Sequence, residues 1–379
     1  MKDESEPGAS EAAAFRPLRI AMLGSKGIPA QHGGIERHVE EIAARLVRRG
    51  HTVDVFTRGH HPSRERTWEG VRLQRRPSLN TKHLDAASHT ALCALEVALR
   101  PRYDILHLHG IGPGLFLPWA GRRVRTVFTY HAQDWRQRKW GRVARWSLRQ
   151  GERTALRHAD AVIAVSRLLQ EYIRQTYGRS AHYIPNGATF RDQPGDAALR
   201  RWQLSARGYF LFVGRILPDR GLGTLLEAFT ALDTPQRLVV VGDVHVSPEA
   251  MQALQRGADG RVVFTGYLQD EPLQQLYAHA TALVHPSEVE GLPLAVLEAM
   301  AHARPVVVSD IAENLEAVGS TGITFPVGNP DALQAVLAQL LAHPEQAESL
   351  GLQARARVLS SYNWDDIAGA TERLYLALV

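Results

Sequence analysis

The chain of 379 residues is long enough for two domains, since a single core seldom serves more than about 250–300 residues. With 45% hydrophobic and 22% charged residues, its composition is that of a folded globular protein and excludes a disordered chain. The net charge of +5 is mild, and no apolar segment is long enough for a transmembrane helix. The single cysteine excludes an internal disulfide and argues against a cysteine-built metal site.

The first sixteen residues are acidic and rich in alanine, serine and glycine, with no apolar segment like that of a signal peptide. A segment of such low hydrophobicity cannot build a core, so we expect residues 1–16 to be a disordered tail. Cys93 lies in an apolar helical context that suggests a buried thiol. Together these features lead us to expect a cytoplasmic protein.

Short apolar strands alternate with amphipathic helices in the first half of the chain. The first strand leads through a glycine-rich loop into a predicted helix, Glu36–Arg49, which Gly50 ends. Such alternation predicts a parallel sheet with helices on both faces. The predicted strands of this half are Leu18–Leu23, Val53–Thr57, Ile105–His109, Arg125–Tyr130 and Ala161–Val165.

The same pattern restarts after a polar segment, Asn186–Ser205, which is typical of a linker. We therefore predict an α/β protein of two doubly wound, Rossmann-like domains, residues 17–190 and 206–361, that face each other across a cleft. Ligands of such sheets bind beyond the carboxyl ends of the strands. The predicted strands are Tyr209–Val213, Arg237–Val241, Val262–Thr265, Ala282–His285 and Pro305–Ser309. The predicted helices are Gly223–Ala231, Glu271–His279, Leu294–Ala301 and Asp331–Ala342.

The loop after the first strand reads GSKGIPAQHGGIERH and does not match the dinucleotide-binding pattern GxGxxG. Asp54 lies inside the second strand rather than at its end, which also argues against a nicotinamide cofactor. Gly33 and Gly34 come directly before a helix, where bare N–H groups suit a phosphate. Glycines at this position are often only turn formers, so the signal is weak by itself.

A second loop, GRILPDRG, follows the strand that ends at Val213. Arg215 and Arg220 at this strand exit are able to clamp a diphosphate through charge-assisted bidentate bonds. Two surface arginines in an arginine-rich protein explain the stretch equally well when it is considered alone.

Residues 290–300 read EGLPLAVLEAM. Pro293 fits the first helical position, and the N–H groups of Leu294–Val296 would then be free to bind an anion at the positive end of the helix dipole. Glu298 lies about 7.5 Å further along the helix, at ~1.5 Å per residue, where it could accept two hydroxyls, as on a ribose. Glu290 could bind hydroxyls of a second group beyond the phosphates. This arrangement does not suit the acid–base pair of a glycosidase.

Three histidines follow or occupy the predicted strands of the first half. His107 and His109 alternate along one strand, and without an acidic neighbour at ligand spacing we expect packing or polar core contacts rather than a metal. His131 comes at the carboxyl end of its strand, so a role in the cleft and a structural role are equally supported.

A basic face is predicted on the helix that follows residue 141, with Trp140 and Trp146 nearby. Such a face is either simply solvated or binds anionic lipid or a phosphate-bearing acceptor. No recognition motif accompanies it, so we expect no nucleic-acid partner. The arginines of this face are Arg142, Arg145, Arg149, Arg153 and Arg157.

Taken together, these segments resemble the retaining, nucleotide-sugar-dependent glycosyltransferases of family 4, which have the two-domain GT-B fold. The glycine loop resembles a subgroup containing bacterial rhamnosyltransferases and related enzymes of cell-surface polysaccharides. The matching segments occur in the family's order and cover nearly the whole chain from Leu18: GGIERHVEEIAARLVRRGHTVDVFT, TYHAQDW, ADAVIAVS, IPNGA, VGRILPDRG, VVGD, HPSEVEGLPLAVLEAM and PVVVSD.

The resemblance implies a role for each matching residue. Glu298 would hold the ribose of the donor, and Glu290 with the backbone of Gly291–Pro293 would hold its sugar. Arg215 and Arg220 would neutralise the diphosphate, although the family usually has lysine where this chain has Arg220. The other residues implied in donor binding or catalysis are Gly33, Gly34, His131, Gly214, Leu292, Leu294, Ala295 and Val296.

The resemblance also implies a mechanism and an architecture. Arginines and helix N–H groups would stabilise the leaving diphosphate, so neither a metal nor another cofactor is expected. The expected route is front-face substitution, in which the leaving phosphate accepts the acceptor's proton. A last helix, near Trp364–Ala377 in residues 362–379, would cross back to the first domain.

The expected acceptor is a glycan or lipid-linked molecule of bacterial polysaccharide synthesis, bound at the inner face of the membrane. Three other interpretations remain open from the sequence. The enzyme could act on a soluble acceptor such as a sugar phosphate or natural product, it could be an inactive binding protein, or it could be an epimerase on the same fold.

Overall fold

A computed structural model describes residues 16–379 except 32, 82–83, 101, 121–123, 191 and 193. The predicted tail, residues 1–16, lies outside the described residues apart from Arg16. Two α/β domains follow each other along the chain, each built on a sheet of largely parallel strands. Among the described residues, no helix is long and apolar enough to cross a bilayer.

The first domain contains an eight-stranded sheet. Its strands are β1 (Arg19–Leu23), β2 (Thr52–Arg58), β3 (Thr67–Trp68), β4 (Val71–Arg76), β5 (Ile105–His109), β6 (Arg125–Tyr130), β7 (Ala161–Ala164) and β8 (His182–Tyr183). Its helices are α1 (Gly34–Arg48), α2 (Asp85–Leu99), α3 (Arg142–His158) and α4 (Arg167–Tyr177). The strand order is β3-β4-β2-β1-β5-β6-β7-β8, and only the β3–β4 pair is antiparallel.

The second domain contains a six-stranded, fully parallel sheet in the order β11-β10-β9-β12-β13-β14. These strands are β9 (Tyr209–Val213), β10 (Arg237–Val241), β11 (Val262–Gly266), β12 (Ala282–His285), β13 (Val306–Ser309) and β14 (Ile323–Phe325). The remaining helices are α5 (Ala197–Arg201), α6 (Leu222–Thr230), α7 (Pro248–Arg256), α8 (Asp270–His279), α9 (Leu294–Ala301), α10 (Ala312–Val318), α11 (Pro330–Ala342), α12 (Pro344–Ser361) and α13 (Trp364–Leu376).

Each sheet reverses its strand order once, between β1 and β5 in the first domain and between β9 and β12 in the second. The central strands are buried on both faces, as their uninterrupted apolar sequences predict for parallel strands covered by helices. At such a reversal the loops leaving neighbouring strands diverge and open a crevice at the carboxyl ends. The loops after β1, β9 and β12 are the three that the sequence analysis selected.

Several predicted boundaries of helices and strands are wrong by one or two residues, and one segment that was predicted to be a linker contains a helix. The first helix begins at Gly34 rather than Glu36, because Gly33 adopts a φ of 98° that side-chain-bearing residues rarely reach. Residues 186–205, predicted to be a linker, contain helix α5, which is fixed to the second domain where the Ala198 N–H donates to Gln275. The strands β3, β4, β8 and β14 were not predicted.

The last helix, α13, packs against α1 of the first domain rather than against the domain that precedes it in sequence. Arg45 Nε donates to Asp365 at 3.0 Å, and Arg49 Nη1 donates to Glu372 at 2.9 Å. The Tyr375 hydroxyl reaches the buried His107 ring at 2.5 Å. The chain therefore crosses back over the junction between the two domains.

Candidate functional site

A cavity of about 290 Å³ lies between the carboxyl ends of the two sheets and is lined by both domains. The structure brings into this lining every predicted donor-site residue except Val296. Those lining residues are Gly33, Gly34, His131, Gly214, Arg215, Arg220, Glu290, Gly291, Leu292, Pro293, Leu294, Ala295 and Glu298.

The two domains contact each other closely beside this cavity. A Cβ atom built on Gly291 would lie 1.9 Å from the His131 carbonyl oxygen of the other domain, so this approach requires glycine. A Cβ on Gly34 would lie 3.3 Å from Leu294, a tighter contact than most side chains make. The two domains are therefore in direct contact beside the cavity.

Glu298 lies on the buried side of α9 and faces the cavity with 8% of its surface exposed. Burial raises the pKa of this carboxyl to about 7, while the Arg37 guanidinium and the Tyr277 hydroxyl act in the opposite direction. This carboxyl is therefore more readily protonated than an exposed glutamate. Its ionised form is an acceptor for hydroxyl groups in the cavity.

Glu290 is held by two donors from its own domain. The His285 Nε2 atom lies 3.0 Å from Glu290 Oε1, and Arg220 forms an ion pair with the same carboxylate. Burial lowers the pKa of His285 to about 3, so this ring is neutral and its Nε2–H donates. Because the carboxylate is fixed from one side, its remaining lone pairs are available to a ligand in the cavity.

Two guanidinium groups lie on the loop after β9. Burial, followed by the neighbouring charge of Arg215, lowers the pKa of Arg220 to about 10, which leaves it charged at neutral pH. Arg220 also donates to Ser287 Oγ at 3.3 Å and is thereby fixed against the loop after β12. Within the described part of the chain, the Arg215 side chain makes no hydrogen bond or ion pair, which leaves it available to an anion.

The start of α9 differs in two respects from its prediction. The helix has the predicted bounds, Leu294–Ala301, but Pro293, predicted at the first helical position, is the capping residue in an extended conformation. The Val296 N–H is not free, because it donates to the Pro293 carbonyl at 3.2 Å. A tight first turn of this kind uses donors that a regular turn would leave exposed. Leu294 and Ala295 are the residues whose N–H groups remain for an anion.

Comparison with known families shows the family to which this chain belongs. The family model described as "Glycosyltransferase Family 4" matches residues 32–189, and the model "Glycosyl transferases group 1" matches residues 207–343. The chain belongs to the family-4 glycosyltransferases. The family, the enzyme class and the GT-B fold predicted from the sequence are thereby confirmed.

Relatives of this glycosyltransferase match it over nearly their whole length. Glycogen synthase of Mycobacterium tuberculosis is 28% identical, with 95% of each chain covered. The O-antigen chain mannosyltransferase C of Escherichia coli is 26% identical, with 96% of this chain and 99% of the relative covered. The crystal structure of Anabaena HepE in complex with UDP-glucose has a TM-score of 0.78 at 20% identity, with 95% of this chain and all of HepE covered.

His131 of this glycosyltransferase is buried at the cavity wall and contacts a second histidine. Its Nε2 lies 3.2 Å from His109 Nδ1, while His38 Nδ1 lies 2.9 Å from the Asn186 side-chain oxygen. Burial lowers the pKa of His131 and His109 well below the usual value, so both rings are neutral. A neutral His131 can exchange a hydrogen bond with a sugar hydroxyl but brings no positive charge to a phosphate.

His107 and His109 were predicted to make packing or polar core contacts. His107 contacts the Tyr375 hydroxyl, and its Nε2 lies 2.6 Å from Thr129 Oγ1. His38, His109 and His131 present nitrogen atoms within 4.8 Å of one another, an arrangement that is also close enough for a cation. The absence of a functional metal therefore stays a prediction of the sequence analysis.

Sequence reasoning missed two cations beside the cavity, Arg37 and Lys139. Arg37 lies on α1 and lines the cavity. Lys139 lies on the loop after β6, and burial together with the charge of Arg215 lowers its pKa to about 8. Lys139 gave no local signal, because it lies nine residues beyond the end of β6 and its charged neighbour Arg215 is distant in sequence. Arg37 gave none, since it is a helical residue four positions from Glu41.

The predicted basic face forms on α3, where all five of its arginines are exposed. Arg149 also lies over the Trp135 ring, 4.4 Å from its centroid. The first turns of the same helix expose two apolar side chains, Val143 at 81% and Trp146 at 65%. Trp119, on the segment that packs against α3, is exposed at 55%. This surface is thus both basic and apolar.

Proposed function

We propose that this glycosyltransferase transfers a sugar from a nucleoside-diphosphate donor with retention of configuration. One observation carries the proposal: two carboxylates and two guanidinium groups line one cavity. Glu298 and Glu290 can accept hydrogen bonds from hydroxyls, and Arg215 and Arg220 can bind a diphosphate. A nucleotide sugar carries the matching groups, a ribose and a sugar on either side of a diphosphate.

The charges of the cavity support breakage of the bond between the sugar and the diphosphate. As this bond breaks, negative charge develops on the leaving phosphate. Arg220 is already fixed in the cavity by Ser287, and Arg215 is available beside it. Fixed positive groups in a water-poor site stabilise such charge without reorganising. The N–H groups of Leu294 and Ala295 add the positive end of the α9 dipole.

Retention is part of this proposal and corresponds to the front-face route that the family resemblance implies. In the proposed reaction the acceptor hydroxyl attacks from the face that the leaving phosphate occupies, and its proton passes to that phosphate. Glu290 orients the sugar, because Arg220 and His285 hold its carboxylate in place. His131, being neutral, forms a hydrogen bond to a sugar hydroxyl on the other side of the cleft.

Bacterial polysaccharide synthesis is the process we propose for this transfer. Glycogen synthase and an O-antigen chain mannosyltransferase are among the relatives over the full chain. The basic and apolar surface of α3 suits an acceptor carried on an anionic lipid surface, since arginines bind the head groups and Trp146 and Val143 enter the interface.

Product analysis tests the reaction directly. With a nucleotide sugar and an acceptor, in the presence of EDTA, we expect release of the nucleoside diphosphate and a glycoside with the donor's anomeric configuration. Nuclear magnetic resonance of the anomeric proton measures that configuration. A product of inverted configuration contradicts the front-face route. If EDTA abolishes the activity and Mg²⁺ restores it, the proposal that arginines and helix N–H groups stabilise the leaving group is contradicted.

A further inference from the structure

Arg138 belongs to the first domain but contacts two loops of the second. It lies in residues 131–141, between β6 and α3. Its backbone N–H donates to Asp219 Oδ2 at 2.7 Å, and its Nε lies 3.5 Å from Asp219 Oδ1. Its Nη2 pairs with Glu288 Oε2 at 2.8 Å. One residue of the first domain is therefore bonded to the loop after β9 and to the loop after β12.

These two loops carry residues that are proposed to bind the donor. Asp219 comes directly before Arg220, and Glu288 comes two residues before Glu290. The loops are also bonded to each other, because the Glu288 N–H donates to the Asp219 carbonyl at 3.0 Å and Arg220 pairs with Glu290. A shift of Asp219 or Glu288 would consequently move Arg220 or Glu290 in the cavity.

The two carboxylates that Arg138 contacts are largely removed from water. The Asp219 side chain is 10% exposed and that of Glu288 is 28% exposed. Within the described part of the chain, Arg138 is the ion-pair partner of each. A shielded carboxylate without a cation is costly, and its charge also repels an anion bound nearby. The Arg138 guanidinium compensates both negative charges beside the arginines of the cavity.

We propose that Arg138 is a positioning residue for the donor, which acts by holding and neutralising Asp219 and Glu288. This role rests on the donor contacts proposed above for Arg220 and Glu290. Arg138 is not among the described residues that line the cavity, so it acts through the two loops rather than by touching the donor.

The exposure of Arg138 sets the size of the expected effect. Its side chain is 67% exposed, and an ion pair that water reaches changes an equilibrium constant by at most about fivefold. Here one guanidinium serves two carboxylates, and its removal leaves both without a cation. We therefore expect the loss of the Arg138 side chain to weaken donor binding about threefold or more.

Calorimetry with a nucleoside diphosphate measures this effect. UDP, GDP, ADP and dTDP are titrated into the wild-type protein, and the one that binds most tightly is used throughout. An Arg138→Met variant removes the guanidinium but keeps the backbone N–H that donates to Asp219. We expect it to bind the nucleotide about threefold or more weakly than wild type, and wild-type affinity overturns the proposal.

A double-mutant cycle with Glu288→Gln shows whether Arg138 acts through the carboxylate that it contacts. In the Glu288→Gln background one of the two charges is already absent, so Arg138→Met should weaken binding by a smaller factor than in wild type. A general distortion of the fold would weaken binding equally in both backgrounds. Equal factors in the two backgrounds therefore overturn the proposal.

Arg136→Met is the matched control. Arg136 lies two residues away in the same segment, and its Nη1 donates to Glu313 of α10 in the second domain at 3.0 Å. This ion pair also joins the domains, but it does not contact the loops after β9 and β12. We expect Arg136→Met to bind the nucleotide within about twofold of wild type. A loss as large as that of Arg138→Met would mean that any ion pair between the domains has this effect, which also overturns the proposal.

An Arg215→Met variant separates the role of Arg138 from the donor site on which it rests. If Arg215→Met binds as tightly as wild type, or if none of the four nucleotides binds the wild type, the proposed diphosphate site is wrong and the role of Arg138 is wrong with it. If Arg215→Met binds weakly while Arg138→Met binds like wild type, the diphosphate site stands and only the role of Arg138 is overturned.

Discussion

Glu290 and Glu298 are eight positions apart, yet their surroundings give them different chemistry. Glu298 is inside a helix, where burial raises its pKa to about 7 and where Arg37 of the other domain opposes that rise. Glu290 is on a loop, fixed by a neutral His285 and by Arg220. These different surroundings agree with their proposed use as hydroxyl acceptors for two different parts of one donor.

Gly291 sets how closely the two domains approach beside the donor site. In a Gly291→Ala variant the new methyl group would overlap the His131 carbonyl, so the cleft cannot close to the same extent. Overpacking of this kind costs about 1–3 kcal/mol, so we expect nucleoside diphosphate affinity to fall by about fivefold or more. Isothermal calorimetry measures this affinity, and the melting temperature of the variant shows whether the fold persists.

Gly223→Ala is the matched control for this substitution. Gly223 lies in α6 with open space around its Cβ position, so the alanine is expected to leave affinity unchanged and to stabilise the helix by about 0.5–1 kcal/mol. Wild-type affinity in Gly291→Ala would mean that the contact with His131 does not limit closure, contrary to the geometry described above.

At the level of single residues, the sequence predicted those that lie in recognisable loops. Arg215, Glu290 and Gly34 could be found because each follows a strand or begins a helix. Arg37 and Lys139 could not be assigned, since their effect depends on charges that are distant in sequence, Glu298 and Arg215. Folding brings these charged groups together, and no local sequence pattern indicates that they are close in space.

At the level of elements, the candidate donor site is built from the loops that follow the strands and from the first turns of the helices. Apolar runs such as RLVVV in β10 predicted the central strands, because a strand that is buried on both faces consists mostly of apolar residues. The strands near the sheet edges were not predicted, because β4 is mostly polar and β8 has only two residues. The free N–H predicted at Val296 was wrong because the first turn of α9 tightens onto the Pro293 carbonyl.

Helix α3 leads to a prediction about membranes. If its basic face binds an anionic surface, the wild-type enzyme should sediment with vesicles that contain a phosphatidylglycerol fraction and not with neutral phosphatidylcholine vesicles. We expect the double variant Arg145→Glu/Arg153→Glu to lose most of this binding, since near a membrane each arginine contributes about 1 kcal/mol.

The control removes the same number of exposed arginines from elsewhere. Arg200→Glu/Arg256→Glu changes the net charge equally, on α5 and α7, and should keep vesicle binding. Equal loss in both double variants would show that only total charge matters. Absence of any binding by the wild-type enzyme to anionic vesicles would contradict the proposed lipid surface.

At the level of the whole molecule, the candidate site takes its lining residues from both domains. The first domain supplies Gly34, Arg37 and His131, and the second supplies the arginine loop and the two glutamates. Helix α13 ties the domains together by crossing back to α1. The double α/β alternation made this architecture predictable, whereas the degree of closure depends on contacts such as Gly291 with His131 that only the folded chain shows.

Donor binding by wild type and by Glu298→Ala is the measurement that tests the central claim most directly. A panel of nucleotide sugars is titrated into each protein by calorimetry. We predict that at least one nucleotide sugar binds the wild type, and that Glu298→Ala weakens it by about tenfold or more, since hydrogen bonds to a charged group contribute about 1.5–3 kcal/mol. Failure of every nucleotide sugar to bind, or equal affinity in the variant, would contradict the account.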